Sequence, residues 1–432
     1  MITYADALVS DDSRFRDAYD IENEAHHAGT IVVEDPFPRF AELQRQAPVH
    51  RGKLGELMGY GPDQNFHFHI PGRVTYTAFS FAACNRALLE NQLFSSAVYD
   101  EFESMKTHNH SMINRVGAEH RMLRAPIQPM FTPEAARTWW SEKAIEDTVN
   151  TLLDRIAPKK SADLLYELCA RMPVHIVSVG MGISPEDIVP FRIAVIAGGG
   201  AGMNLTPEER AMRRAEGHEI MTKVIRQRRE NPCDDIISRL VTAEVTEPDG
   251  TKRMFTDDEI IDNCRLIVNA GGGTTWRQLG ITLYALLENP DQLQAVRDDR
   301  SLIPQALLES ARWMANDTFF PRRVTQDVVL EGVEIPEGAM LLMVLAAANR
   351  DPTRWSDPDS FDIFRELKPT VAFGGGAHVC LGQHVSRQEM KVALNAVLDR
   401  LPNLRWDPSR PRPRISGSMM ARGMTAVPVV FD

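Results

Sequence analysis

Apolar positions recur at helical spacing along most of the chain, with two stretches where they alternate as in strands. Residues 1–35 show little pattern and are expected to be a partly mobile segment. Pro36 to Gln46 predicts a short helix, Pro48 to His50 the start of a strand, and Arg73 to Phe79 its return. Between them lies an insert, residues 51–72, with an alternate pair His67 and His69 that reads as a solvated face more readily than as a metal pair. Ser80 to Glu90 predicts a helix, 94–118 is irregular, and 134–183 reads as helices. Pro185 to Ala197 and Pro207 to Arg229 form a helix pair joined by a glycine-rich link over 197–202. Four glycines in that link favour a mobile connection, fit to serve as a lid hinge.

Thr256-Asp257-Asp258-Glu259 is a capping box that opens a long helix ending before Asn289-Pro290. Its middle reads Ala270-Gly271-Gly272-Gly273-Thr274-Thr275. Each interior glycine costs about 1 kcal/mol relative to alanine, so three in a row require either a close approach or a locally opened helix. Leu381 to Leu401 predicts a last helix. Just before it, Phe373-Gly374-Gly375-Gly376-Ala377-His378-Val379-Cys380-Leu381-Gly382 delivers one cysteine to the helix N-terminus. Free N–H groups and the helix dipole there favour a thiolate, a soft metal ligand, and the glycines admit a flat, bulky partner.

Composition narrows the reading without deciding it. The chain has 432 residues, 43% hydrophobic and 25% charged, ordinary for a soluble globular protein. A net charge of -11 argues against a nucleic-acid surface and leaves any basic docking patch local. Cys84, Cys169, Cys233, Cys264 and Cys380 are scattered and odd in number, which fits a reducing cytoplasm rather than a disulfide framework. No apolar run reaches membrane-spanning length, and the polar, acidic start is neither signal peptide nor anchor.

The cysteine run resembles the haem-binding loop of the cytochromes P-450, with Phe373, Gly376, His378, Cys380 and Gly382 on the family's fixed positions. His120 and Arg124, at i, i+4, are similar to the family's propionate-binding pair, and the Ala270–Thr274 run to its oxygen groove. Glu309, Arg312 and Arg365 resemble its structural Glu–Arg–Arg network, and Arg322, with Arg323 as the alternative, its second propionate arginine. Together these elements cover residues 120–382.

The resemblance implies a mainly helical single domain over 1–432, with β-rich parts at about 47–79 and 315–345 plus the C-terminus, and haem b between two long helices. It implies a monooxygenase acting on an apolar small molecule by hydroxylation or O-dealkylation. Cys380 would be the axial iron ligand, with His120, Arg124, Ala270, Gly271, Arg322, Phe373, Gly374, His378 and Gly382 around the haem. Electrons would come from NAD(P)H through a ferredoxin and its reductase, docking near Arg387 and Lys391. Thr274 is the proton-relay position, and Gly273 stands where the family has an acid. The nearest carboxylates on that helix, Asp262 and Glu288, lie more than three turns away. Protons must then pass by water, another segment or the substrate. Leu266, Asn269, Thr318 and Met419 are the expected substrate-pocket residues, within wider facing stretches at 316–320 and 417–420. Readings that stay open are a peroxide-driven peroxygenase or isomerase on the same haem, a non-enzymatic haem carrier or sensor, and a structural zinc site at His378 and Cys380.

Overall fold

The computed structural model describes residues 2–10, 15–61, 68–102, 105, 110–198 and 206–432. His67, the tip of the expected lid link and His108-Asn109 lie outside these residues. The predicted long helix runs Asp257–Glu288, opened by the Thr256 and Glu259 capping box and closed at Asn289. It crosses Met172–Met181, a helix buried on every side. Such a helix belongs to the centre of a large core. The last helix spans Gln383–Arg400, with Gly382 as its N-cap.

The glycine run in the long helix does not open it; hydrogen bonding continues through 270–275. The crossing explains two of the glycines. An added Cβ on Gly272 would lie 2.5 Å from Val174 Cγ2, and one on Gly271 3.3 Å from Val177 Cγ2. Gly273 has open space, its nearest neighbour being Arg277 Nη1 at 3.9 Å. Opposite effects follow from adjacent substitutions. Gly272→Ala should lower the melting temperature, because a β-branched helical valine has no second rotamer to retreat into and overpacking costs about 1–3 kcal/mol. Gly273→Ala should raise it, by up to about 1 kcal/mol of helix propensity. Thermal melting of the two variants checks the pair of signs.

The β-rich part is a five-stranded sheet in the order Val49–Arg51, Thr75–Ala78, Met340–Met343, Phe320–Val324, Phe94–Ser95. The first two strands pair antiparallel, Val49 opposite Ala78, as their sequence alternation predicts. The parallel pairing of Met340–Met343 with Thr75–Ala78 joins segments far apart in sequence. The sheet covers a smaller apolar cluster that includes Val49, Cys84, Phe94, Val324 and Leu341. C-terminal residues Pro428–Val430 pair with Ser161–Asp163 and Arg405–Trp406 in a separate three-stranded sheet.

The first 35 residues depart from expectation. Leu8, Phe15 and Tyr19 are buried in the main core, Tyr19 edge-on to Trp276 at 5.4 Å, and Ile21 is buried as well. Glu24 reaches Arg277 of the long helix through both carboxylate oxygens, at 2.5 Å each. The described part of the 51–72 insert also packs: Phe68 meets the rings of Tyr99, Phe102 and Phe319 at 5.7, 5.1 and 6.0 Å. No helix among the described residues is long and apolar enough to cross a membrane.

Candidate functional site

The long helix, the loop before the last helix, the start of the 320–324 strand and the helix Gly117–Arg124 enclose one cavity. It holds about 1570 Å³ of empty space, counting the part continuous with solvent. Cys380 opens onto it. The loop that presents the cysteine is fixed by its own backbone: Cys380 N–H donates to the Phe373 carbonyl at 2.9 Å, and Val379 N–H to that of Gly376 at 3.2 Å. Gly376 has φ +62, and a Cβ there would run into the Leu88 carbonyl. Only glycine fits both conditions.

Cys380 is exposed to the cavity but shielded from outer solvent. Burial raises its thiol pKa, and the N–H groups of Gly382 and Gln383 and the Arg124 guanidinium oppose this only in part. The helix start therefore pulls toward thiolate, as its sequence position implies, but does not win against desolvation. A coordinating metal ion deprotonates a thiol outright. Among the described residues no group of three or more His, Cys, Asp or Glu could hold a metal ion, and His378 is engaged elsewhere.

That engagement belongs to a cluster of two neutral imidazoles, His378 and His120, and two arginines, Arg124 and Arg322. His378 Nε2 lies 2.9 Å from Ser96 Oγ, and its ring centroid is 4.2 Å from that of His120. Burial and nearby cations lower both pKa values, to about 4 for His120 and about 3 for His378. Arg124 clasps the cysteine loop, donating to the carbonyls of Ala377 at 3.0 Å and Val379 at 2.8 Å. Arg322 is buried beside the Tyr99 hydroxyl. His120 Nε2 and Arg322 Nε are buried without a partner. Buried donors without acceptors cost free energy, so His120, Arg124 and Arg322 form a site for an anionic group with several oxygens. The two carboxylates of haem b fit it. A flat apolar ring fits the space between Cys380 and the glycine-bearing groove. Strand alternation selects between the arginines: Phe320 and Arg322 share the cavity side, whereas Arg323 is half exposed and pairs with Glu101 at 3.4 Å.

On the opposite wall the long helix contributes Leu266, Ile267, Ala270, Gly271, Thr274 and Thr275. Thr274 Oγ1 donates to the Ala270 carbonyl at 2.8 Å, which leaves its lone pairs for a donor in the cavity. Asn316 Nδ2 donates to the Thr274 carbonyl at 2.8 Å. Four expectations are corrected. Asn269 and Gly273 share a helical face, but one residue is about 100° of helix, and their face is not the cavity wall. Thr318 and Met419 are fully buried away from it, the Thr318 hydroxyl donating to the Met419 carbonyl. From the expected 316–320 stretch it is Asn316, Asp317 and Phe320 that line the cavity. Asp317 supplies a carboxylate from another segment, and no spacing on the long helix could have pointed to it.

Behind the site, Glu309 accepts from Arg312 Nε at 2.7 Å and Nη2 at 2.8 Å, and from Arg365 Nε at 3.3 Å. Arg387, expected as free positive charge, is partly buried: it donates to Gln383 and lies 5.2 Å over the Phe373 ring. Lys391, one turn on, is exposed.

Comparison with known proteins adds independent information. The family model for Cytochrome P450 matches residues 201–423. Cytochrome P450 107B1 of Saccharopolyspora erythraea is 35% identical over 323 residues, 74% of this chain and 76% of that protein. Nocardicin C N-oxygenase of Nocardia uniformis subsp. tsuyamanensis is 33% identical over 412 residues, 93% and 97% of the two chains. The crystal structure of CYP109E1 from Bacillus megaterium in complex with corticosterone superposes with a TM-score of 0.78 at 25% identity, covering 92% of this chain and 98% of that one.

Proposed function

The chain belongs to the cytochrome P450 family, and from that premise we propose that it inserts one oxygen atom of dioxygen into an apolar small organic substrate, with electrons drawn from NAD(P)H through a separate ferredoxin and its reductase. The enzyme is a monooxygenase, an oxidoreductase of the family whose cofactor is haem. The observation that carries the finer reading is the single cavity shared by the Cys380 sulfur, the orphaned donors His120 Nε2 and Arg322 Nε, and the Thr274 groove.

When bound, haem would supply redox chemistry on dioxygen, and a thiolate ligand would tune that chemistry by donating electron density. The protein's part is holding, excluding and delivering. Cys380 is assigned as the iron ligand, with Phe373, Gly374, His378 and Gly382 around it. His120, Arg124 and Arg322 hold the propionates by charge-assisted hydrogen bonds. Ala270 and Gly271 keep the groove wall low, and Leu266, Ile267, Phe320 and Leu345 keep water out and receive the apolar substrate. Thr274 Oγ1, its O–H committed in a hydrogen bond to the Ala270 carbonyl, has lone pairs left to accept a hydrogen bond from a cavity water and so to hold that water in the groove as a proton carrier. Gly273 contributes room beside Arg277 rather than a proton. Exposed Lys391, with Arg387 behind it, is the positive spot on the cysteine side for an acidic ferredoxin. The cytoplasm, as the reducing compartment that holds such partners, is the proposed location.

The test is the absorption spectrum of the dithionite-reduced holoprotein with carbon monoxide. The expected result is a strongly red-shifted Soret band; a band at the ordinary haem-protein position would remove thiolate ligation and the proposed mechanism with it. Turnover with isotopically labelled dioxygen, ferredoxin and reductase should then place one labelled atom in product. Product formed from peroxide alone would assign the peroxygenase reading instead.

A further inference from the structure

Asp317 is a carboxylate that opens onto the cavity and accepts no hydrogen bond among the described residues. What exposure it keeps is to the cavity; it is otherwise surrounded by protein. The charged groups that act on it are Arg277 and Glu24, and Arg277 is already matched to Glu24 through both oxygens at 2.5 Å. Arg277 balances only one of the two carboxylates, so an ionised Asp317 has no countercharge of its own on the protein side and faces the cavity. Burial is the main cause that raises the Tyr99 phenol and the Cys380 thiol, and the Asp317 charge adds to both, which places it toward the interior of the site. The cavity's own cations do not serve it. Arg124 is bonded to the cysteine loop, and Arg322 lies beside Tyr99. The same cavity is lined by apolar Phe320 and, from the long helix, Leu266 and Ile267.

We propose that Asp317 is a substrate-recognition residue, and that the substrate is an apolar molecule carrying a cationic amine whose charge pairs with the Asp317 carboxylate. Burial disfavours the ionised carboxylate when it stands alone. A cation arriving in the same cavity supplies the missing countercharge, so recognition is stronger there than at a solvated surface. The assignment rests on the cavity being the substrate chamber of the monooxygenase, and it adds the class of molecule that chamber takes.

The test uses the haem-loaded enzyme and two probes of equal shape, a phenylalkyl trimethylammonium ion and its neutral tert-butyl isostere. Neither can ligate iron, and binding is read by equilibrium dialysis. Wild type should hold the ammonium probe at least about tenfold more tightly than the isostere. Asp317→Asn, which keeps the shape and removes the charge, should abolish or reverse that ratio. Wild type that prefers the neutral probe overturns the proposal without recourse to any variant. So does an Asp317→Asn enzyme, folded and haem-loaded, that keeps the wild-type ratio. A normal carbon monoxide spectrum in both proteins separates failure of this assignment from failure of the family-level mechanism.

Discussion

Cys380→Ser should fold, bind less haem and lose the red-shifted carbon monoxide band. The loop's shape does not depend on the sulfur: its hydrogen bonds run between the backbones of Cys380 and Phe373 and of Val379 and Gly376. Serine is nearly the same size, and the side chain projects into a cavity rather than into packed core. What changes is the ligand. A hydroxyl lacks the soft, polarisable donor that selects iron in this setting. Loss of outer-shell partners alone costs metal sites about 10–100-fold, so loss of the ligand should lower turnover by at least about 100-fold. No other cysteine can replace it. Cys84, Cys169 and Cys264 are buried elsewhere with thiols pushed up by burial, and Cys233 is exposed outside the cavity. The measurement is haem content together with the reduced carbon monoxide spectrum. A variant that retained the red-shifted band would show that Cys380 is not the ligand.

The elements that could be read in the sequence were those whose information is local. The cysteine loop is contiguous, and its glycines have conformational reasons that do not depend on distant chain. The Thr256 capping box fixes where the long helix starts, and Asn289-Pro290 fixes where it stops. Phase was harder. The glycine run shows that something comes close but not on which side, and the structure divides it: Gly271 and Gly272 meet the helix Met172–Met181, while Gly273 faces Arg277. Asn269 was placed with Gly273 correctly and with the cavity wrongly for that reason. On the 316–324 segment the resemblance favoured Arg322 over Arg323, and Arg322 lines the cavity. Thr318, expected within the facing 316–320 stretch, turns away, its N–H donating to the Met420 carbonyl before the strand proper begins at Phe320. There the chain has not yet settled into strand alternation. The anchoring of the first 35 residues was invisible, since Glu24 and Arg277 are 253 positions apart and neither stands in a recognisable motif.

Arg312→Ala should be the most destabilising single substitution in the chain outside the cavity. Arg312 is 2% exposed and Glu309 6%. Besides its two bonds to Glu309, the guanidinium donates to the carbonyls of Asn349 at 3.2 Å, Pro358 at 2.8 Å and Ser360 at 2.9 Å. Alanine removes all of these at once and leaves Glu309 buried with Arg365 at 3.3 Å and the Asp362 N–H at 3.0 Å. Breaking a buried pair from one side costs about 3–5 kcal/mol, because the remaining charge is uncompensated. The carbonyls belong to the 349–360 stretch, and the Asn349 side chain in turn accepts from Val371 N–H at 2.9 Å, two residues before the cysteine loop begins. Loss should therefore travel from the helix to the loop and appear as a lower melting temperature and weaker haem retention together. Lysine cannot rescue it, since one ammonium cannot match a planar fork serving a carboxylate and three carbonyls. Glu309→Gln should also destabilise, because its amide oxygen still accepts a bond but the buried Arg312 guanidinium loses its countercharge. Thermal melting and haem content of the three variants decide the matter. Arg312→Ala with wild-type values of both would mean that the network carries no structural weight.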